Sequence, residues 1–216
     1  NQNTQTTTQN NAQATTTANG TGEDFNARVK RVSALVQPSI VYGTMTQNDG
    51  LFKKGETVQV IRDKGNGQTY YVATSDGRKG WISGKSISIP NDPPTVQDRM
   101  SKEDIEFYVN HVKQFSSGSQ YFIWVDLSRQ LVQVFQGRQG KWQLIKTFVC
   151  ASGKNETPSI RGTFKVYERG KQFSSGGAIA KNWVRFYDSY MFHSILVDSK
   201  GNVVDGTLGK RASHGC

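Results

Sequence analysis

From Thr57 the chain alternates apolar and polar positions in short β-branched runs: Thr57-Val58-Gln59-Val60-Ile61, Thr69-Tyr70-Tyr71-Val72-Ala73 and Gly80-Trp81-Ile82. A period of two predicts half-buried strands. Gly65-Asn66-Gly67 and Ser75-Asp76-Gly77 separate the runs and supply the positive-φ positions that tight turns need. A small antiparallel barrel is expected. Asn91-Asp92-Pro93-Pro94 then interrupts any regular element, because proline neither donates to a sheet nor enters a helix interior, and reads as a linker. The period next becomes helical: Ile105, Tyr108, Val109, Val112 and Phe115 share one face, and Ser101 with Asp104 forms a capping-box pattern. That face should dock on a core. His111 falls between these positions and reads as a surface helix residue without a role. Tyr121-Phe122-Ile123-Trp124-Val125-Asp126, Leu131-Val132-Gln133-Val134-Phe135 and Lys141-Trp142-Gln143-Leu144-Ile145 predict a β-meander, with sheet and loop to the end of the chain.

Composition divides the chain further. Residues 1–22 hold only Thr, Asn, Gln, Ala and Gly, with no charge and no large apolar side chain to offset the entropy of ordering, so a disordered tether is expected over 1–27. The remainder divides into a barrel at 28–90, a linker and helix at 91–119 and a β-rich domain at 120–216. Net charge is +10, but the basic residues are scattered, with Lys53-Lys54 and Lys210-Arg211 the longest clusters. That pattern reads as a solvated basic surface and gives no nucleic-acid arm or recognition helix. No apolar run approaches the roughly 18 to 20 residues that cross a bilayer. The chain also opens without Met or a signal-peptide pattern, as expected if a leader or anchor ahead of Asn1 has been removed; that anchor is the only membrane contact expected.

The chemistry collects near the end. Two cysteines, Cys150 and Cys216, make no disulfide framework, and Cys150, in the apolar run Phe148-Val149-Cys150-Ala151, reads as a small buried thiol. Phe192-His193-Ser194 and Leu208-Gly209-Lys210-Arg211-Ala212-Ser213-His214-Gly215-Cys216 bring two imidazoles and a thiol, which nucleophilic acyl transfer requires. A thiol is little ionised near neutrality, so an imidazole must take its proton or stabilise its thiolate. His193, from a separate strand, is a candidate base. His214 precedes Cys216 by two residues, and an extended run would put both on one face. Gly215, without a Cβ, lets a carbonyl approach backbone N–H donors. The same three residues, His193, His214 and Cys216, are also a permitted zinc ligand set, although no fourth ligand is evident. Trp183, Arg185, Phe186, Tyr187 and Tyr190 crowd the approach to His193 and read mainly as packing.

Two resemblances follow. Phe52-Lys53-Lys54-Gly55-Glu56-Thr57-Val58 and Asp76-Gly77-Arg78-Lys79-Gly80-Trp81-Ile82 resemble the paired strand and hairpin of bacterial SH3 domains. The Arg-Ser-Gly-Pro turn usual in that family is replaced by Val36-Gln37-Pro38-Ser39-Ile40, so a spacer role and a ligand-binding role both stay open. Over 120–216, four ordered segments resemble the L,D-transpeptidase (YkuD-like) family: Ile123 to Phe135, Ser152 to Val166, Trp183 to Ser194 and Leu208 to Cys216, the last ending Ser-His-Gly-Cys.

The second resemblance implies a peptidoglycan transpeptidase with Cys216 as nucleophile, His193 as general base and His214 supporting the thiolate. It also implies an oxyanion hole from the backbone of Gly215 and Cys216, with Ser194 and Ser213 as substrate-binding neighbours. The implied fold is mainly β: a small SH3-like barrel, one linking helix and a β-rich catalytic domain. No metal or other cofactor is implied. The implied partners are peptidoglycan stem peptides and carbapenem inhibitors, for a monomer outside the cytoplasm, at the wall of a Gram-positive bacterium. Family members continue past the cysteine, so a catalytic domain shortened at Cys216 is expected to be poorly active, with an α-carboxylate opposing thiol ionisation. Two rival readings are a wall-binding protein acting through its SH3-like module and a papain-like wall cysteine peptidase. In the latter family the cysteine precedes its histidine, whereas here both histidines come first.

Overall fold

The computed structural model describes residues 22–214. Strands β1 (Val41–Met45), β2 (Thr57–Lys64), β3 (Thr69–Ala73), β4 (Lys79–Ser83) and β5 (Ile87–Ser88) form one antiparallel sheet in the order β4-β3-β2-β1-β5. Alternation seals it: Val41, Met45, Val58, Val60, Tyr70, Val72 and Ile82 point inward with Phe52 and Ile87. The β2–β3 turn carries three successive positive φ angles, at Gly65 (69°), Asn66 (58°) and Gly67 (83°). Gly43 is closely approached as well, since a Cβ there would lie 2.6 Å from the end of the Ile87 side chain, at the point where β1 receives β5.

A second core sits under the helices. The barrel span expected from residue 28 differs here: α1 (Phe25–Leu35) is a helix capped by Asp24, whose carboxylate accepts the N–H groups of Asn26 and Ala27. It buries Val32 with Ile105, Phe107, Tyr108, Val109, Phe135 and Trp142. Those partners lie outside the barrel, so the start of the expected barrel packs on the second core instead, through Val29, Val32 and Val36, while residues 25–27 of the expected tether form the exposed first turn of that helix. Helix α2 (Lys102–Phe107) starts as predicted, with Ser101 Oγ accepting Asp104 N–H at 3.1 Å. The Asp104 carboxylate turns away to Arg31, at 2.8 and 3.0 Å. The helix then widens through Tyr108–Val112 into a π-type turn. Asn110 exchanges two hydrogen bonds with the Trp142 backbone there, at 2.7 and 2.9 Å.

The meander is β6 (Tyr121–Asp126), β7 (Leu131–Gln136) and β8 (Gln143–Val149). Beyond it, β9 (Glu168–Ser175) and β10 (Ala178–Tyr187) form a long hairpin closed by Gly176 and Gly177, both at positive φ. On its other edge β10 pairs in succession with β11 (Tyr190–Phe192) and β12 (Leu196–Val197), and β12 pairs with β13 (Val203–Asp205). The molecule is thus mainly β, as expected. No helix among the described residues is long and apolar enough to cross a membrane.

Candidate active site

His193 occupies the break between β11 and β12, where two bonds to β10 hold the backbone: Ser194 N–H donates to Lys181 C=O, and Lys181 N–H to Ser194 Oγ, each at 2.9 Å. Its ring stands edge-on to Phe173, centroids 5.6 Å apart, and its Nδ1 lies 2.7 Å from the Ser194 carbonyl oxygen. A carbonyl only accepts, so in the neutral ring Nδ1 carries the proton and Nε2 keeps its lone pair. That is the tautomer a base needs. The Ser194 hydroxyl also donates to Ile195 C=O at 2.8 Å, so it serves local structure as well as any ligand.

His214 is held by a different route, which begins in the buried β6–β7 turn. Asp126 and Arg129 pair there at 3.0 Å with side chains 2% and 3% exposed, and Arg129 also donates to the carbonyls of Leu35 and Asp98. Gln130, fully buried, donates to Leu127 C=O at 2.6 Å and to Ser152 Oγ at 2.8 Å, and accepts Ser152 N–H at 2.7 Å. The Ser152 carbonyl then accepts the N–H groups of Ala212 and Ser213, both at 3.0 Å. Ser213 C=O in turn accepts from Lys154 N–H at 3.2 Å and Thr157 Oγ1 at 3.1 Å. A chain of amides thereby carries the rigidity of a buried ion pair to the residue before His214.

The His214 side chain faces the barrel. An open cleft of about 310 Å³ is lined by the β2–β3 turn with Asn66, Gly67 and Tyr70 on one side, and by Lys154, Glu156, Thr157 and His214 on the other. Tyr70 Oη donates to Glu156 C=O at 2.9 Å across this seam, and burial raises its phenol to about 12, with the Asp63 and Glu156 carboxylates adding to the shift. Burial also raises Asp63, against the Gly67 N–H that it accepts at 3.0 Å and the opposing pull of His214. The linker is fastened too: Asn155 donates to Pro90 and Asn91 carbonyls, and its own side-chain oxygen accepts from Arg211 at 2.7 Å.

The contacts described for the two histidines have no residue in common. Cys216 and Gly215 lie outside the described residues, and with them the nucleophile, the expected oxyanion hole and the zinc alternative. Cys150 carries a free thiol pushed up to about 12 by burial and by Asp126. The aromatic group near His193 is packing: Phe186 lies against Phe164 and Phe192, and Arg185 stacks on Trp183 and pairs with Glu168 at 2.8 Å. Tyr187 is an exception, since Arg62 of the barrel donates to its hydroxyl at 3.4 Å. Sequence reading missed Asn66, Tyr70, Lys154 and Glu156 as neighbours of His214. The turn signal at Gly65-Asn66-Gly67 was visible, whereas its docking is a tertiary fact.

Comparison with known proteins adds the family. The model of the L,D-transpeptidase catalytic domain, YkuD, matches residues 120–216, and that of a variant SH3 domain matches residues 51–89. A crystal structure titled a fused Zn-dependent amidase/peptidase/peptidoglycan-binding domain-containing protein, from Clostridium acetobutylicum ATCC 824, is 38% identical over 49% of this chain, with a TM-score of 0.43. This chain spans 44% of that protein. The search of curated proteins finds no match. The chain therefore carries an L,D-transpeptidase catalytic domain preceded by a variant SH3 domain.

Proposed function

We propose that the chain is a peptidoglycan L,D-transpeptidase acting through a Cys216 acyl-enzyme. The observation that carries this reading is the family match over residues 120–216, which ends on Ser213-His214-Gly215-Cys216. The Cys216 thiolate attacks the carbonyl that joins the third, diamino residue of a stem peptide to D-Ala. Backbone N–H groups of Gly215 and Cys216 stabilise the oxyanion. His193, with Nε2 unprotonated, takes the thiol proton and returns it to the departing D-Ala amine, leaving a thioester. His214 supports the thiolate. The side-chain amine of a second stem's third residue then attacks the thioester, the thiolate leaves, and a 3→3 cross-link remains; water as acceptor gives D-Ala removal alone. Ser194 and Ser213 act chiefly by positioning the two histidines, through the β10 bonds and the Ser152 bond described above.

The cell wall is the setting this activity requires, with stem peptides as substrate. Intact-mass analysis after incubation with a carbapenem tests the reading. The chain should gain the mass of one inhibitor and Cys216→Ala none; equal labelling of both would sink the proposed nucleophile.

A further inference from the structure

The cleft at His214 has one wall from each domain, and the barrel wall is fixed rather than loosely apposed. Tyr70 ties it to the Glu156 carbonyl, Arg62 to the Tyr187 hydroxyl, and the Ser39 hydroxyl sits 3.0 Å from that of Ser128. The turn itself is shaped for this approach. Gly67 has φ 83°, its N–H is held by Asp63, and a Cβ on it would lie 2.9 Å from the Tyr70 hydroxyl. The residues that line the cleft are mostly polar and carry both signs: Lys154 and Glu156, with Asn66 and Thr157 beside them. At about 310 Å³ it sits at the small end of ligand sites, which run from ~300 to 1,000 Å³. It therefore suits one end of a peptide rather than a whole one, and an end that is itself zwitterionic.

We propose that the β2–β3 turn of the SH3 domain is a wall of the substrate cleft, in which Lys154 takes the terminal carboxylate of a tetrapeptide stem and Glu156 the ammonium of its third residue. This rests on the transpeptidase reading and gives the SH3 domain a place in substrate selection, where a spacer would have none. His214, two residues before Cys216 along the chain, lines the same cleft, so the ionised end of the stem is seated beside the run that bears the nucleophile.

The test uses the chain with Cys216→Ala, titrated calorimetrically at low salt with a synthetic stem tetrapeptide and with its C-terminal amide. The free acid should bind about two- to fivefold tighter than the amide, the range of a solvent-exposed ion pair, and Lys154→Met should abolish that difference. The decisive variant is Asn66→Asp, which keeps the shape and tolerates the left-handed backbone while adding a negative charge to the barrel wall. It should weaken the free acid by a similar factor and spare the amide. Unchanged binding of both peptides by Asn66→Asp, or no binding by any variant, overturns the proposal. Failure of the transpeptidase reading looks different: D-Ala release would then be the same with Cys216 and with Ala in its place.

Discussion

Replacing Gln130 with leucine isolates the polar chain that leads to His214. The glutamine is fully buried, and its amide makes three hydrogen bonds, to Leu127 C=O, Ser152 Oγ and Ser152 N–H. Leucine fills a similar volume, so little cavity is expected and the loss falls on groups left without partners. Ser152 Oγ is a rotor and can turn elsewhere. The Ser152 N–H and the Leu127 C=O are backbone groups, and each unpaired buried group costs about 1–3 kcal/mol. The expected destabilisation of the catalytic domain is therefore about 2–6 kcal/mol. Urea unfolding followed by tryptophan fluorescence reports it, because Trp142 is 1% exposed in that domain's core. Below its unfolding transition the variant should also take up carbapenem more slowly, since the Ser152 carbonyl holds the amides of Ala212 and Ser213. A loss under about 0.5 kcal/mol, the level of an indifferent surface change, would refute the reasoning.

Three further predictions follow from the same geometry. Arg129→Met strands the buried Asp126 carboxylate and should cost about 3–5 kcal/mol, read from the same urea curve. In Cys216→Ser the remaining thiol, Cys150, should react with iodoacetamide at pH 8 at least ~100-fold more slowly than free cysteine, and at an ordinary rate in urea, because burial keeps it protonated. Asp63 is raised in the fold, so folding binds its proton more tightly; its contribution is fully present below the ordinary aspartate value and is lost as pH rises through the raised one. Asp63→Asn should thus gain melting temperature relative to the parent on going from pH 4 to pH 7, and a constant difference would contradict the shift.

The strands with clean alternation were legible in the sequence. Val58 and Val60 face the barrel core, and Tyr121–Asp126 pairs with Leu131–Gln136 where period and turn residues agree. The Ser101 cap was legible as well, being a local hydrogen bond. The β9–β10 hairpin was not read, because Glu168–Ser175 is polar and largely exposed and so has no alternation; Gly176-Gly177 was its one signal. Helix α1 escaped for the opposite reason. Its few apolar residues, Val29 and Val32 among them, acquire meaning only against Phe107 and Val109, which lie far along the chain.

The site divides along the same line. His193, His214 and Cys216 were found as reactive types in a family pattern, and such a pattern follows the order of residues along a chain. What holds the histidines is the set of amides and hydroxyls around them, which are common side chains with no signature of their own. Gln130 and Ser152 matter because both are buried and face each other, and Tyr70 matters because its hydroxyl reaches across a domain boundary to Glu156 C=O. A residue that acts by chemistry is limited to a few types, whereas one that acts by position can be any type whose neighbours leave it a single partner. Substitutions at Gln130 and Tyr70 should therefore alter function through geometry, moving the substrate's KM or the acylation rate while leaving the number of reactive thiols unchanged. Counting titratable thiols in those variants beside their acylation rate separates the two kinds of residue.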